Sequence, residues 1–216
     1  GLAMLSGVAD DKDALALSRE ISDGELVRMM NLLQQTMASS CGICAVNSVL
    51  SYYGEETSPY DMELSYLELY ESLTQETVKG KGTSVSGHNA TLAALGYESD
   101  YARFYPEEGE APIYTSYEEY MQHMRTNLEA GRPIVVSTNM GSGHYIVVIG
   151  MDDMGTDFIY DDVIIVADPF DTTDHNQDGY GVYGAERFIY NFTFYDFFGD
   201  APDHARDKCF VVVSPL

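Results

Sequence analysis

Apolar residues recur at helical spacing in the first half of the chain and gather into short β-branched runs in the second. Residues 11–35 show the helical spacing in patches, with Leu26, Met29, Met30 and Leu33 on one face. Residues 38–40 (Ala-Ser-Ser) are a polar break. Beyond it, Ile43, Ala45, Val46, Val49 and Leu50 predict a buried helix over 41–53, capped by Ser39 or Ser40 and ended by Gly54. Further helices are expected over 61–73, over 86–95 (closed by Gly96) and over 117–130 (stopped by Gly131 and Pro133), with 79–83 as a loop. The pattern then changes. Strands are expected at 133–137, 145–150, 158–160, 163–166, 187–194 and 210–213, punctuated by Gly and Asp as an antiparallel sheet requires.

Helices followed by strands predict an α+β fold. The 216 residues carry no linker and no repeat, so one domain is expected over 1–216, with a helical lobe at about 20–130 and a sheet lobe at about 131–216. Charge narrows the partners. With 35 acidic against 11 basic residues, the net charge is -24, a field that repels phosphate backbones and anionic lipid. Nucleic-acid binding is therefore not expected. Nor is membrane insertion, since no run of about 18 apolar residues occurs. The acidity and the lack of an initiating Met at Gly1 point to an extracellular or cell-surface location, with the cytoplasm as the alternative. A monomer is the default expectation.

The candidate chemistry begins at Cys41, one of three cysteines, at the expected start of a buried helix. A helix N-terminus favours negative charge and lowers a thiol pKa, as a nucleophilic thiolate needs. Of five histidines, His144 is the candidate base, because it follows a Gly-Ser-Gly turn and opens the core run 145–150. His123, His175 and His204 read as surface residues, and His88, near a helix start, as a cap. Asp168, at the end of the run 163–166 and stopped by Pro169, can fix the imidazole tautomer. Gln35, six residues before Cys41, can supply an amide to an oxyanion hole beside the Cys41 N–H, with Gln34 as its competitor.

Three segments together carry a resemblance: 35–54 (Gln-Thr-Met-Ala-Ser-Ser-Cys-Gly, later Leu-Ser-Tyr-Tyr-Gly), 143–150 (Gly-His-Tyr-Ile-Val-Val-Ile-Gly) and 167–169 (Ala-Asp-Pro). They resemble the C39-like branch of the papain-like cysteine peptidases, in the family order Gln, Cys, His, Asp. The resemblance implies a papain-like fold in which a helical lobe presents the nucleophile and a twisted antiparallel sheet presents the base and orienter. It also implies a peptide or protein substrate and no required cofactor. The best-known members process leader peptides at export transporters. No P-loop accompanies this chain, which reads as a stand-alone member. Ile43-Cys44 stands where many relatives have Pro or Ala.

Several rivals come from other classes. Cys41-Gly-Ile-Cys44 also fits a thiol–disulfide oxidoreductase, although no core strand precedes it. Zinc through Cys41, Cys44 and Cys209 lacks a fourth ligand at recognisable spacing. Asp174, Asn176 and Asp178 follow the start of a calcium loop, but position twelve is Ala185, so structural calcium is a candidate beside a plain Asx-rich turn. A non-catalytic peptide-binding module on the same fold is the remaining alternative, and the same residues would equally serve transpeptidation or amide transfer.

Overall fold

The computed structural model describes residues 2–4, 34–55, 58–103, 116–138, 143–170, 179–193 and 207–215. In chain order the elements are β1 (Leu2–Met4), α1 (Cys41–Tyr52), α2 (Pro59–Thr74), α3 (Val85–Ala94), β2 (Tyr97–Arg103), α4 (Tyr117–Glu129), β3 (Ile134–Thr138), β4 (His144–Asp152), β5 (Val163–Ala167), β6 (Tyr180–Gly184), α5 (Ala185–Arg187), a π-helical turn (Phe188–Thr193) and β7 (Asp207–Pro215).

Every strand pairing is antiparallel, in the order β2-β7-β3-β4-β5-β6, and β1 adds to β4 beyond the end of β3. The central strands are apolar on both faces: Ile146 through Ile149 in β4 and Ile164 through Val166 in β5 are all 0% exposed. A strand buried on both sides must be covered on both sides. One cover is α1, where every residue from Gly42 to Leu50 is buried, as in a helix enclosed by core all round. The register around β4 matters most for the site. Thr138 of β3 pairs with His144, and Ala167 at the end of β5 pairs with Val147. Antiparallel pairing therefore brings the start of β4 beside the end of β5, and His144 beside Asp168.

The elements depart from the sequence reading in six places, two of them strands it did not expect, β1 and β6. Residues 158–160 are a turn, because Phe158 N donates to Thr156 Oγ1 (3.1 Å) and Thr156 Oγ1 to Asp161 Oδ1 (2.8 Å). Local side-chain bonds of this kind compete with a ladder. Residues 187–193 are helical. Phe188 and Ile189 are adjacent and both fully buried. The strand Tyr97–Arg103 lies inside the stretch read as helical and pairs with β7. Neither Ser39 nor Ser40 caps α1: Ser40 occupies the N-cap position with no side-chain cap bond. The expected helical patches before residue 34 lie outside the described residues. Among the described residues no helix is long and apolar enough to cross a membrane.

Candidate active site

Three of the four longer helices start on a serine hydroxyl. Ser58 Oγ accepts from Asp61 N, Ser84 Oγ from Gly87 N and Ser116 Oγ from Glu119 N. The start of α1 is different. Ser40 Oγ turns back and donates to the Met37 carbonyl at 3.0 Å, while Ser39 Oγ accepts from Gly80 N at 3.1 Å. No serine oxygen takes up the first N–H groups of α1, so the positive end of the helix faces the thiol of its own first residue.

That residue is Cys41, partly buried and unbridged. Its thiol meets the imidazole of His144 and the backbone N–H groups of Tyr145 and Gly42. Burial alone would raise the thiol pKa. The hydrogen bond and charge of His144, helped by the two N–H groups, outweigh burial and hold it below the ordinary value. His144 Nε2 lies 2.6 Å from Asp168 Oδ1, so Nδ1 is the ring nitrogen left for the thiol. Asp168 is fully buried, and its Oδ1 also accepts the Phe170 N–H at 2.8 Å, a turn that Pro169 makes possible. Burial opposes a charge on His144, but the bonds and charges of Asp168 and Cys41 override it and push its pKa up to about 9. The ring of Phe170, 58% exposed, stands edge-on to His144 with centroids 6.4 Å apart.

Gln35 sits on the other side of the Asp168 turn. Its N–H donates to the Pro169 carbonyl at 3.0 Å, and its Nε2 donates to the Met37 carbonyl at 2.9 Å. An amide nitrogen carries two hydrogens, and this bond uses one. The Gln35 Oε1 is buried without a hydrogen-bond partner. Thr36 anchors the segment, as its N–H and hydroxyl both donate to the buried Glu63 of α2, the hydroxyl at 2.7 Å. The structure thus brings Cys41, His144 and Asp168 together through His144, and ties the Gln35 backbone to the Pro169 carbonyl.

The other candidates fall elsewhere. Cys44, one turn along α1, is fully buried and unbridged, and burial together with the nearby Glu63 pushes its thiol well up. An exchange partner needs an accessible thiol that ionises, so the Cys41–Cys44 redox reading has no support here. Cys209 lies in β7, paired opposite Val136, and its side chain is outside the described residues. So are Asp174, Asn176 and Asp178, together with His175 and His204. Among the described residues no group of three or more metal-ligating side chains occurs. His88 is not a cap: Ser84 takes that role, and His88 is fully buried with Nδ1 at 2.8 Å from the Tyr66 hydroxyl and Nε2 at 2.7 Å from Thr83 Oγ1. Sequence reasoning missed this cluster. The one trace of it was small residues where rings pack: a Cβ on Gly87 would lie 2.5 Å from Tyr70, and one on Gly42 would lie 2.6 Å from His88 Nε2.

A family profile, the Peptidase_C39 like family, matches residues 27–193, so the chain belongs to that family. Among solved structures it is similar to a double glycine motif protease from an AMS/PCAT transporter in complex with the leader peptide, at 16% identity over 85% of this chain and 89% of that one, with a TM-score of 0.46. It is also similar to the peptidase domain of Streptococcus ComA, a bi-functional ABC transporter, at 19% identity over 83% of this chain and 95% of that one, with a TM-score of 0.45. No curated protein matches. Family and fold agree with the expected α+β, papain-like layout: the helix that begins at Cys41 on one side, and on the other an antiparallel sheet with His144 at the start of β4 and Asp168 just past the end of β5.

Proposed function

We propose that the chain is a cysteine peptidase that hydrolyses peptide bonds, with Cys41 as nucleophile, His144 as general acid and base, and Asp168 as its orienter. The observation that carries the reading is the Cys41–His144–Asp168 set, in which His144 bridges a thiol at a helix start and a buried carboxylate 2.6 Å away. The raised His144 and lowered Cys41 pKa values both favour a thiolate–imidazolium pair. The thiolate attacks the substrate carbonyl carbon. The Cys41 N–H and the Gln35 Nε2 hydrogen not given to the Met37 carbonyl stabilise the oxyanion. His144 then gives its proton to the departing amine, leaving a thioester on Cys41. Water, losing a proton to His144, releases the acid and restores the thiol pair.

Membership of the Peptidase_C39 like family supports a polypeptide as the substrate class. The test is alkylation of Cys41 by iodoacetamide against pH, read by mass spectrometry beside Cys44, together with capture of an acyl-enzyme from an activated peptide ester. Labelling that persists well below pH 7 and is lost in His144→Ala, with the acyl group found on Cys41, is the expected result. Labelling that rises only near 8.5 in both proteins would mean an ordinary thiol and remove the proposal.

A further inference from the structure

His88 takes no part in the chemistry above, yet it stands between the two residues that follow the nucleophile and the base. On one side lies Gly42, next after Cys41, packed so closely that a Cβ would come 2.2 Å from Thr83 Oγ1 and 2.6 Å from His88 Nε2. On the other lies Tyr145, next after His144. Its ring stands edge-on to His88 with centroids 5.4 Å apart, and its hydroxyl donates to the Thr83 carbonyl at 3.1 Å. Both of these neighbours also present backbone N–H groups to the Cys41 thiol.

The imidazole itself is held from every side. Tyr66 and Tyr70 of α2 pack their rings at 5.7 and 5.5 Å, and the hydroxyls of Tyr66 and Thr83 bind the two nitrogens. These facing groups carry no charge at neutral pH, and burial lowers the His88 pKa to about 3, so the ring is neutral throughout the working range. Either tautomer of the neutral ring pairs both nitrogens, one donating and one accepting, because the Tyr66 hydroxyl also has that of Thr91 beside it. A neutral, two-sided, fully buried ring fixes a distance. A charge there would be very costly, and an aliphatic residue would take a partner from both hydroxyls.

We propose that His88 is the positioning residue that sets the separation of Cys41 and His144, bearing through Thr83 on Gly42 and through ring contact on Tyr145. This inference rests on the thiolate–imidazolium reading of that pair, whose other close charged group is Asp168. Glu63 lies beyond it, against Cys44.

The experiment is the pH profile of Cys41 alkylation in five proteins, each with its thermal melt: wild type, His88→Ala, His88→Gln, Tyr66→Phe and Thr83→Val. In His88→Ala the pair is no longer held at bonding distance. Labelling at pH 6 should drop by about tenfold and the inflection rise by about one pH unit, the equivalent of that loss of ionised thiol. His88→Gln, which keeps an amide toward Thr83, should recover most of the wild-type rate. Tyr66→Phe and Thr83→Val, each losing one hydroxyl and little volume, should fall two- to fivefold. Loss of packing alone would lower the melting temperature without moving the inflection. Variants that melt lower but keep the wild-type profile would therefore overturn the proposal. If His88→Ala does not fold, the two hydroxyl variants decide on the same criterion. A wild-type profile that itself rises only near 8.5 would overturn the peptidase reading and this inference together. A low-pH profile in wild type that survives in all four variants would overturn this inference alone.

Discussion

Two histidines, His88 fully and His144 partly buried, lie near the start of α1, and their surroundings drive them in opposite directions. His144 meets a carboxylate and a thiol and is pushed up to about 9, whereas His88 meets two hydroxyls and three tyrosine rings and is pulled down to about 3. Burial works against the charged form in both. What separates them is the buried aspartate at 2.6 Å together with the Cys41 thiol. The cysteines repeat the lesson over a single helical turn: Cys41, facing His144, is lowered, and Cys44, facing the core and Glu63, is raised. One region of the molecule is built to hold charge and the adjoining one to exclude it, and α1 runs between them.

The largest effect is expected from removing the charge-holding partner. In His144→Ala the Cys41 thiol loses the partner that holds it down while burial still raises it, so its ionised fraction, and hence its alkylation at pH 6, should fall steeply. Cys44 should label slowly in both proteins. An unchanged Cys41 rate would mean that the helix terminus alone lowers the thiol, and the contrast between the histidines would lose its chemical meaning.

Next comes the aspartate. Asp168→Asn removes the charge but keeps a hydrogen-bonding side chain beside Nε2. Since Asp168 is the leading influence that raises His144, the imidazolium should lose its proton at lower pH in the variant. Any activity that needs the protonated ring is expected to persist in the wild type up to about 9 and, in the variant, to end nearer the ordinary histidine value of about 6.5. Peptide-ester turnover against pH measures this: the alkaline limb should move down by one to two pH units, with about a tenfold or greater loss at pH 8. An unmoved limb would show that Cys41, not Asp168, sets the base.

How much of this contrast could be read from the sequence differs between its two halves. Cys41, His144 and Asp168 each sit at an element boundary that the hydrophobic pattern marks: the start of a buried helix, the mouth of one core strand, the end of the next. Antiparallel pairing of 145–150 with 163–166 then brings the last two together, so local pattern and topology carry the same message. The His88 chamber has no such mark. Its members come from α2, the loop at 83, α3 and β4, and no periodicity records that Tyr66, Thr83 and Tyr145 converge. A histidine near a helix start reads as a cap when its environment is hidden. The same limit explains the strands misread at 158–160 and 187–194, where short apolar runs fit more than one period and, at 158–160, side-chain bonds decide.

A steric test bears on the boundary itself. Gly42→Ala places a methyl 2.2 Å from Thr83 Oγ1 and 2.6 Å from His88 Nε2, atoms that are tied to each other and to Tyr66. The wall cannot yield without breaking those bonds, so a loss of about 1–3 kcal/mol is expected, the usual range for overpacking a filled core. Denaturant unfolding would read it. A neutral result would show that the chamber is softer than its hydrogen bonds imply, and would weaken the case for His88 as a rigid spacer.

The last expectation concerns acid and isolates the charge-excluding side. A histidine whose folded pKa lies below its unfolded value binds fewer protons when folded, so folding loses stability as pH falls. For His88 the loss begins as pH drops through about 6.5, where the unfolded ring protonates, and continues until about 3, where the folded ring would too. Between those limits the cost is at most about 1.4 kcal/mol per pH unit, so about 2 kcal/mol separates pH 6.5 from pH 5. The 35 acidic residues also titrate as the medium becomes acidic, which makes the absolute slope uninformative. The difference between wild type and His88→Gln removes them, because a glutamine cannot take the proton. Urea unfolding of both proteins at pH 7 and pH 5 should show the wild type losing about 2 kcal/mol more than the variant over that span. Parallel losses would mean that the chamber admits the proton, through water or a shifted tyrosine, and that the two histidines differ in degree and not in kind.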